Sequence, residues 1–222
     1  GFLDAFGKTP LVGITGTEVQ DDVDTYKIKF EYAVNEDVLL YTLASSGYRA
    51  GGFNANSLVT LSSNYESDTL WNYELGVKTS WLENRLTANG VIYHIDWDDM
   101  QLFAQDSTSF VPGIRNVGKA RIQGLELEFN YLVRDDLRLG LNYAFTDATL
   151  QEDFFASATS SIPSAEAGER LPASARHNYA LFVDWQRPLT SELDLVLRAT
   201  HRYIGDRVNA LGDDSKGNEF LP

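Results

Sequence analysis

The chain has 222 residues, and 32 acidic against 18 basic side chains leave it with a net charge of −14; with no basic stripe to neutralise phosphates, nucleic-acid binding is excluded. It has no cysteine, so neither a disulfide framework nor a thiolate metal site is available. No run of about 18 apolar residues occurs, which excludes a helical membrane span, while eleven Tyr, twelve Phe and four Trp favour strands.

Gly1 to Pro10 lacks the basic start and apolar core of a signal peptide, so an exported protein would be represented here by its mature part or an internal piece. Leu11 to Thr15 has the makings of a short strand. Gln20 to Asp24 is acidic, but without the glycine and terminal Glu of a calcium loop it reads as a solvated turn. From Tyr26 the pattern becomes regular: Tyr26, Ile28, Phe30, Tyr32 and Val34 alternate with Lys27, Lys29, Glu31 and Ala33. Asn35-Glu36-Asp37 makes a tight turn, and a strand returns from Val38 to Phe53. Gly51-Gly52 within it is followed by neither Lys-Ser/Thr nor a helix, so it predicts a bulge or a close backbone approach rather than a phosphate loop. Asn54 to Thr69 is a polar loop.

Trp71 to Trp81 is the most informative stretch. Its odd positions are Trp, Tyr, Leu, Val, Thr and Trp, and its even positions are Asn, Glu, Gly, Lys and Ser. A period of two puts these sets on opposite faces of a strand. Ten residues at about 3.3 Å each, tilted by about 40°, rise about 25 Å, the height of the apolar band on a membrane barrel. Tryptophan favours the two rims of such a band, so Trp71 and Trp81, together with Trp97 and Trp185, are read as membrane-interface anchors. After a turn at Glu83-Asn84 the chain returns from Arg85 to Gln105. There Val91, Tyr93, Ile95 and Trp97 share one parity and Leu86 and Ala88 the other, and a bulge near Asn89-Gly90 is expected to reconcile them.

Asp106 to Asn116 is a loop, and Arg121 to Val133 alternates again. A turn at Arg134-Asp135-Asp136 leads into Leu137 to Thr146, then the longest loop, Gln151 to Ala175. His177 to Trp185, a turn from Arg187 to Glu192, and Leu193 to Tyr203 complete the pattern before a polar tail. Two regularities follow. Connections are short near residues 36, 83, 135 and 189 and long near 60, 110, 163 and 210, as in transmembrane barrels. The hydrophilic faces also carry Glu74, Lys78, Glu126, Glu128, Arg138, Asp184 and Arg198 in mid-strand, which a soluble core would not tolerate and a wet or plugged lumen would. The fold class is therefore all-β: about eight antiparallel strands of a transmembrane barrel.

Candidate chemistry is sparse. His94, His177 and His201 lie on different strands with no Ser or Asp neighbour suited to a triad, so interfacial packing is the plainer role. Asp96, Asp98 and Asp99 suit a cation at the rim less well than simple solvation. No catalytic centre, metal or cofactor is implied. Glu74, Lys78, Glu126, Glu128 and Arg138 are read as lumen-facing. Loop residues Phe103, Phe110, Phe154 and Phe155 are candidates for apolar contact with a ligand, and Arg115 for a charge toward an anionic one; packing of one loop on another is the competing reading.

Three phrases carry a family resemblance: Gly47-Tyr-Arg-Ala-Gly-Gly-Phe-Asn54, Trp71-Asn-Tyr-Glu-Leu-Gly-Val-Lys78, and Asn116-Val-Gly-Lys-Ala-Arg-Ile-Gln-Gly-Leu-Glu-Leu-Glu128. In order and spacing they resemble the later part of the barrel of TonB-dependent outer-membrane receptors. The resemblance implies a barrel of about 22 strands around an N-terminal plug, and import of a scarce ligand such as a ferric siderophore, haem, cobalamin or a glycan. It also implies the outer membrane as location, and lipid, the plug domain, the TonB complex and the ligand as partners. Residues 1–222 would be one partial barrel with clear strands over 26–205, without the plug, the TonB-contacting segment or the final aromatic residue. Two other readings stay open: a complete eight-stranded outer-membrane barrel acting as an adhesin or lipid-handling enzyme, and a secreted β-sandwich lectin.

Overall fold

A computed structural model describes residues 23–54, 64–105, 112–155 and 161–212. Its strands are β1 (Lys27–Asn35), β2 (Val38–Arg49), β3 (Gly52–Phe53), β4 (Asn64–Tyr65), β5 (Asp68–Trp81), β6 (Leu86–Asp98), β7 (Gln101–Gln105), β8 (Pro112–Asn116), β9 (Ala120–Arg134), β10 (Leu137–Leu150), β11 (His177–Pro188) and β12 (Asp194–Ile204). Eight of them form one antiparallel meander in the order β1-β2-β5-β6-β9-β10-β11-β12. The short pairs β3–β4 and β7–β8 are hairpins raised within two of the long connections. A meander places all the tight turns at one end of the sheet and all the long connections at the other. The β5–β6 turn is a tight one, with Leu82, Glu83 and Asn84 all in the left-handed region. Neither Leu82 nor Glu83 is a residue that favours it.

The register assigns the faces. Leu75 pairs with Thr42 and Ile92, and Ile92 with Leu125, so these four point one way. The outward set includes Phe30, Leu40, Leu75, Ile92, Phe129, Leu139, Leu181, Val183 and Leu197, all large and all exposed, with Phe30 68% and Leu75 57% accessible. A contiguous apolar surface of this extent has no place in water and is the natural lining against lipid tails. Among the described residues no helix is long and apolar enough to cross a membrane.

The β6 strand overturns one expectation. Its pairing with β5 and with β9 runs without a shift from Leu86 to Trp97, so there is no bulge at Asn89-Gly90. The outward parity is Leu86, Ala88, Gly90, Ile92 and His94, while Val91, Tyr93, Ile95 and Trp97 face the opposite, concave side. Those larger side chains are accommodated because the concave face is not uniformly polar. Tyr93 lies over Gly124, Tyr41 over Gly76 and Phe182 over Gly140, each ring occupying the space that a Cβ on its cross-strand partner would need. Gly51 shows the close backbone approach expected of it: a Cβ there would lie 2.7 Å from the Tyr65 carbonyl oxygen.

Most buried apolar side chains are not in the sheet's middle but at the long-connection end. Met100, Val117, Ala120, Ala148, Leu150, Phe154, Ala165 and Leu171 form one cluster, with Trp97, Leu102, Ile122 and Leu211 against it. A barrel wall has lipid on one side and a lumen on the other, so its own core is thin. Where connections fold over one another, a true interior appears.

Candidate functional site

The concave face and the cap of connections above it form the candidate site. The register places Glu74, Lys78, Glu126, Glu128 and Arg138 all on the concave face. Between β2 and β12 this face encloses a trough of about 750 Å³ whose polar lining includes Tyr41, Lys78, Glu126, Glu128, Asn142 and Arg202. Its charges are held in place by neighbours on the same face. Both Glu128 oxygens accept hydrogen bonds, from Asn89 Nδ2 at 3.1 Å and from Asn130 Nδ2 at 3.1 Å. Glu74 accepts from Asn72 at 2.8 Å and from the Tyr41 hydroxyl at 3.4 Å. Lys29 pairs with Glu31, and the Lys29 and Lys78 ammonium groups lie 5.2 and 5.8 Å from the centre of the Tyr41 ring. Asp184 pairs with Arg198 at 3.0 Å. Such an array of mixed charges on open concave ground suits a wet passage or a polar plug.

Trp71, Trp81 and Trp185 lie on the outward face, at the two rims of the apolar band. Trp185 donates its indole N–H to Asp136 at 3.0 Å, an apolar ring with a wet end. Trp97 does not join them. It faces the concave side, where the Arg49 guanidinium lies 4.9 Å from its ring centre, so its reading as a lipid-interface anchor is corrected. The parity that misled was the greasy one, which on β6 points inward. At the upper rim the outward face carries stacked Tyr26, Trp71 and Tyr73, and the histidines continue it. His177 Nδ1 is 2.9 Å from the Tyr143 hydroxyl, the His201 ring lies 5.7 Å from the Tyr179 ring at a tilt of 48°, and His94 meets Asp96 at 3.0 Å and Gln123 at 2.8 Å. Asp98 pairs separately with Lys119 at 3.4 Å, so Asp96 and Asp98 do not converge on a common point.

The cap was the least legible part. Phe103 sits on β7 opposite Ile114, and half-buried Arg115 sits on β8 opposite Leu102. Phe110 lies outside the described residues. Phe155 is exposed, but Phe154 is only 8% accessible and belongs to the buried cluster, so it is not an exposed contact for a ligand. The connection that carries it is built into the sheet end: Leu150 N–H donates to Glu169 O at 2.8 Å, Leu171 N–H to Ala148 O at 2.9 Å and Phe154 N–H to Ala165 O at 2.8 Å. The segment after β12 is tied on through Arg170, which pairs with Asp206 at 2.8 Å.

A second set of contacts, spread over residues 49 to 116, is polar. Asp68, 1% accessible, accepts from Arg49 Nε at 3.0 Å, forms an ion pair with Arg49 Nη2, and accepts from the Gln101 amide at 2.9 Å. Burial works to raise the Asp68 pKa, but the Arg49 guanidinium and the Gln101 amide outweigh it and hold the carboxyl below its ordinary value. The Gln101 side chain donates to Ala50 O at 3.0 Å and Glu66 O at 2.9 Å. Asn54 exchanges two hydrogen bonds with the Ile114 backbone, at 2.9 and 2.8 Å, and Asn116 does the same with Glu66, at 2.9 and 3.0 Å. An asparagine amide that donates and accepts in this way replaces a missing rung of backbone ladder.

Comparison with known proteins gives this geometry a family. The family model for the TonB dependent receptor-like β-barrel matches residues 4–220. Solved structures similar to the chain include the ferric yersiniabactin uptake receptor FyuA from Yersinia pestis, with a TM-score of 0.66 at 22% identity over 85% of this chain and 26% of that one. The ferric preacinetobactin receptor BauA from Acinetobacter baumannii matches with a TM-score of 0.59 at 16% identity, over 82% of this chain and 26% of that one. The ferric enterobactin receptor PfeA from Pseudomonas aeruginosa matches with a TM-score of 0.58 at 19% identity, over 89% and 31% respectively. At these identities the likeness concerns the fold, and the chain spans between a quarter and a third of each receptor's length.

Proposed function

Because the chain belongs to the TonB-dependent receptor β-barrel family, whose members are outer-membrane transporters rather than enzymes, we propose that it is a stretch of barrel wall in a receptor that imports a ferric siderophore. The observation that carries the reading is the inside-out sheet: apolar side chains on the outward face, mixed charge on the concave face, and all long connections gathered at one end. In this reading lipid covers the outward face, a plug domain occupies the trough, and the cap faces the medium. The siderophore class is favoured over haem, cobalamin or a glycan because FyuA, BauA and PfeA are ferric-siderophore receptors. Arg115 and exposed Phe155 remain candidate contacts, and Phe103 and Phe110 are further candidates. Glu126 and Glu128 on the concave face favour a cargo that is not strongly anionic.

The test is uptake. The receptor carrying this segment is placed in a Gram-negative host stripped of its own siderophore receptors and offered ferric siderophores, haem, cobalamin and oligosaccharides. Accumulation of iron from one or more ferric siderophores, abolished when TonB is removed, is the expected result. Uptake confined to a non-iron ligand would overturn the siderophore assignment, and uptake indifferent to TonB would overturn the transporter reading.

A further inference from the structure

The polar knot and the apolar cluster of the cap meet at three consecutive residues, Asp99, Met100 and Gln101. Asp99 has a φ of 54°, a left-handed conformation that breaks the β6 direction. Its carbonyl is held by Asn116 Nδ2 at 2.7 Å. Met100, 2% accessible, joins the cluster that contains Leu150 at the end of β10 and Phe154 and Leu171 from the β10–β11 connection, and its backbone is bonded both ways to the segment between β8 and β9: Met100 N–H to Gly118 O at 3.0 Å and Val117 N–H to Met100 O at 2.8 Å. Gln101, 8% accessible, does the opposite work. Its backbone and side-chain amides bond Asp68, Ala50 and Glu66, and its carbonyl accepts from Arg49 Nη2 at 2.8 Å.

We infer that the Asp99–Gln101 tripeptide couples the β2–β5, β6–β9 and β10–β11 connections into a single mechanical unit, so that a disturbance in one is transmitted to the others through it. Two features favour transmission over three independent loops. Each half is centred on buried side chains, Asp68 and Gln101 in one and Met100, Leu150 and Phe154 in the other, and closely packed contacts of this kind yield in steps rather than by gradual deformation. Met100 and Gln101 are also adjacent on a backbone whose direction is fixed by the left-handed Asp99, so neither side chain can withdraw without the other. The inference concerns the cap alone and holds whatever the receptor carries.

Hydrogen exchange on the intact receptor in detergent tests it without any ligand. Gln101→Ala removes the side-chain bonds to Ala50 O and Glu66 O, while the backbone bonds of residue 101 to Asp68 and Arg49, Met100 and the sheet stay in place. The expected result is faster exchange, by about five-fold or more, at the amides of Arg49 and Glu66 and also at the distant amides of Leu150, Phe154, Gly168 and Leu171. Phe154→Ala, applied from the apolar side, is expected to speed exchange at Arg49 and Gln101 by a similar factor. Gln101→Asn and Phe154→Leu serve where a truncated variant fails to give a heat-modifiable barrel. Effects that stop at Met100 in both directions would overturn the inference and leave three separate loops.

Discussion

The Tyr93 hydroxyl lies 3.0 Å from Thr146 Oγ1, although these residues belong to β6 and β10 and β9 runs between them. The ring bridges that gap because its cross-strand partner on β9 is Gly124, where a Cβ would overlap the ring and the Phe145 carbonyl oxygen. A glycine under an aromatic ring thus lets one concave-face side chain bind two strands away. Aromatic rings also cover a cross-strand glycine at Tyr41 over Gly76 and Phe182 over Gly140.

These pairs predict a pattern of intolerance. Gly140→Ala should destabilise the barrel by about 1–3 kcal/mol through overpacking, read as a lower melting temperature in detergent. In the double variant with Phe182→Ala most of that loss should disappear, since the colliding ring is gone. Additive losses would mean that the contact does not exist in the assembled barrel.

The outward face predicts a different asymmetry. Leu75→Arg places a cation against lipid and should cost about 2–4 kcal/mol. Gly76→Arg is unsuitable as the concave-face control, because any side chain there meets Tyr41. Asn142→Arg, directed into the trough, is suitable and should cost less than half as much in the same refolding titration.

Asp68 predicts a response to acid. Its folded pKa is depressed, so its contribution is fully present above the unfolded value of about 3.9 and is lost as the pH falls through the folded one. Amide protection in residues 64–68 and 101–102 should therefore drop as the pH is taken below about 4. Asp68→Asn should show the weakened state already at pH 7, a loss of about 1–3 kcal/mol in local opening, with a flatter pH dependence. An unchanged acid profile in the variant would show that another group governs the cap.

The long β10–β11 connection is expected to resist trimming. Replacing Gln151–Ala175 by a short Gly/Ser linker removes Phe154, Ala165 and Leu171 and uncovers Met100 and Leu150. Burial of one large aromatic alone is worth about 3 kcal/mol. The trimmed receptor should still insert but lose protection at Met100 and Val117. Retained protection at both would mark the connection as dispensable.

What the sequence disclosed depended on contrast between faces. On β5 the odd and even positions differ so sharply that face, length and rims are all legible. On β6 both parities carry apolar residues, because rings over glycine and the approach to the cap favour apolar side chains on the concave side as well. The signal that was available lies in the turn: with Trp81 outward and paired to Leu86, the parity of the whole return strand follows. The knot of Arg49, Asp68 and Gln101 has no local signature, since its members are brought together only by the pairing of β2, β5 and β6. Phe154 misled for a related reason: an aromatic residue in a long connection looks exposed until the connection is seen to fold on its neighbours.

Spin-label accessibility tests the central claim, that this sheet is a membrane wall with its odd β5 positions toward lipid. The chain has no cysteine, and with any cysteine elsewhere in the receptor replaced by serine, single cysteines introduced from Asn72 to Ser80 in the receptor, reconstituted in bilayers, report one position at a time. Labels at Tyr73, Leu75, Val77 and Thr79 should be relaxed by oxygen and shielded from a water-soluble nickel chelate, and labels at Asn72, Glu74, Lys78 and Ser80 the reverse. An absent alternation, or one of opposite phase, would contradict the inside-out assignment on which the transport reading rests.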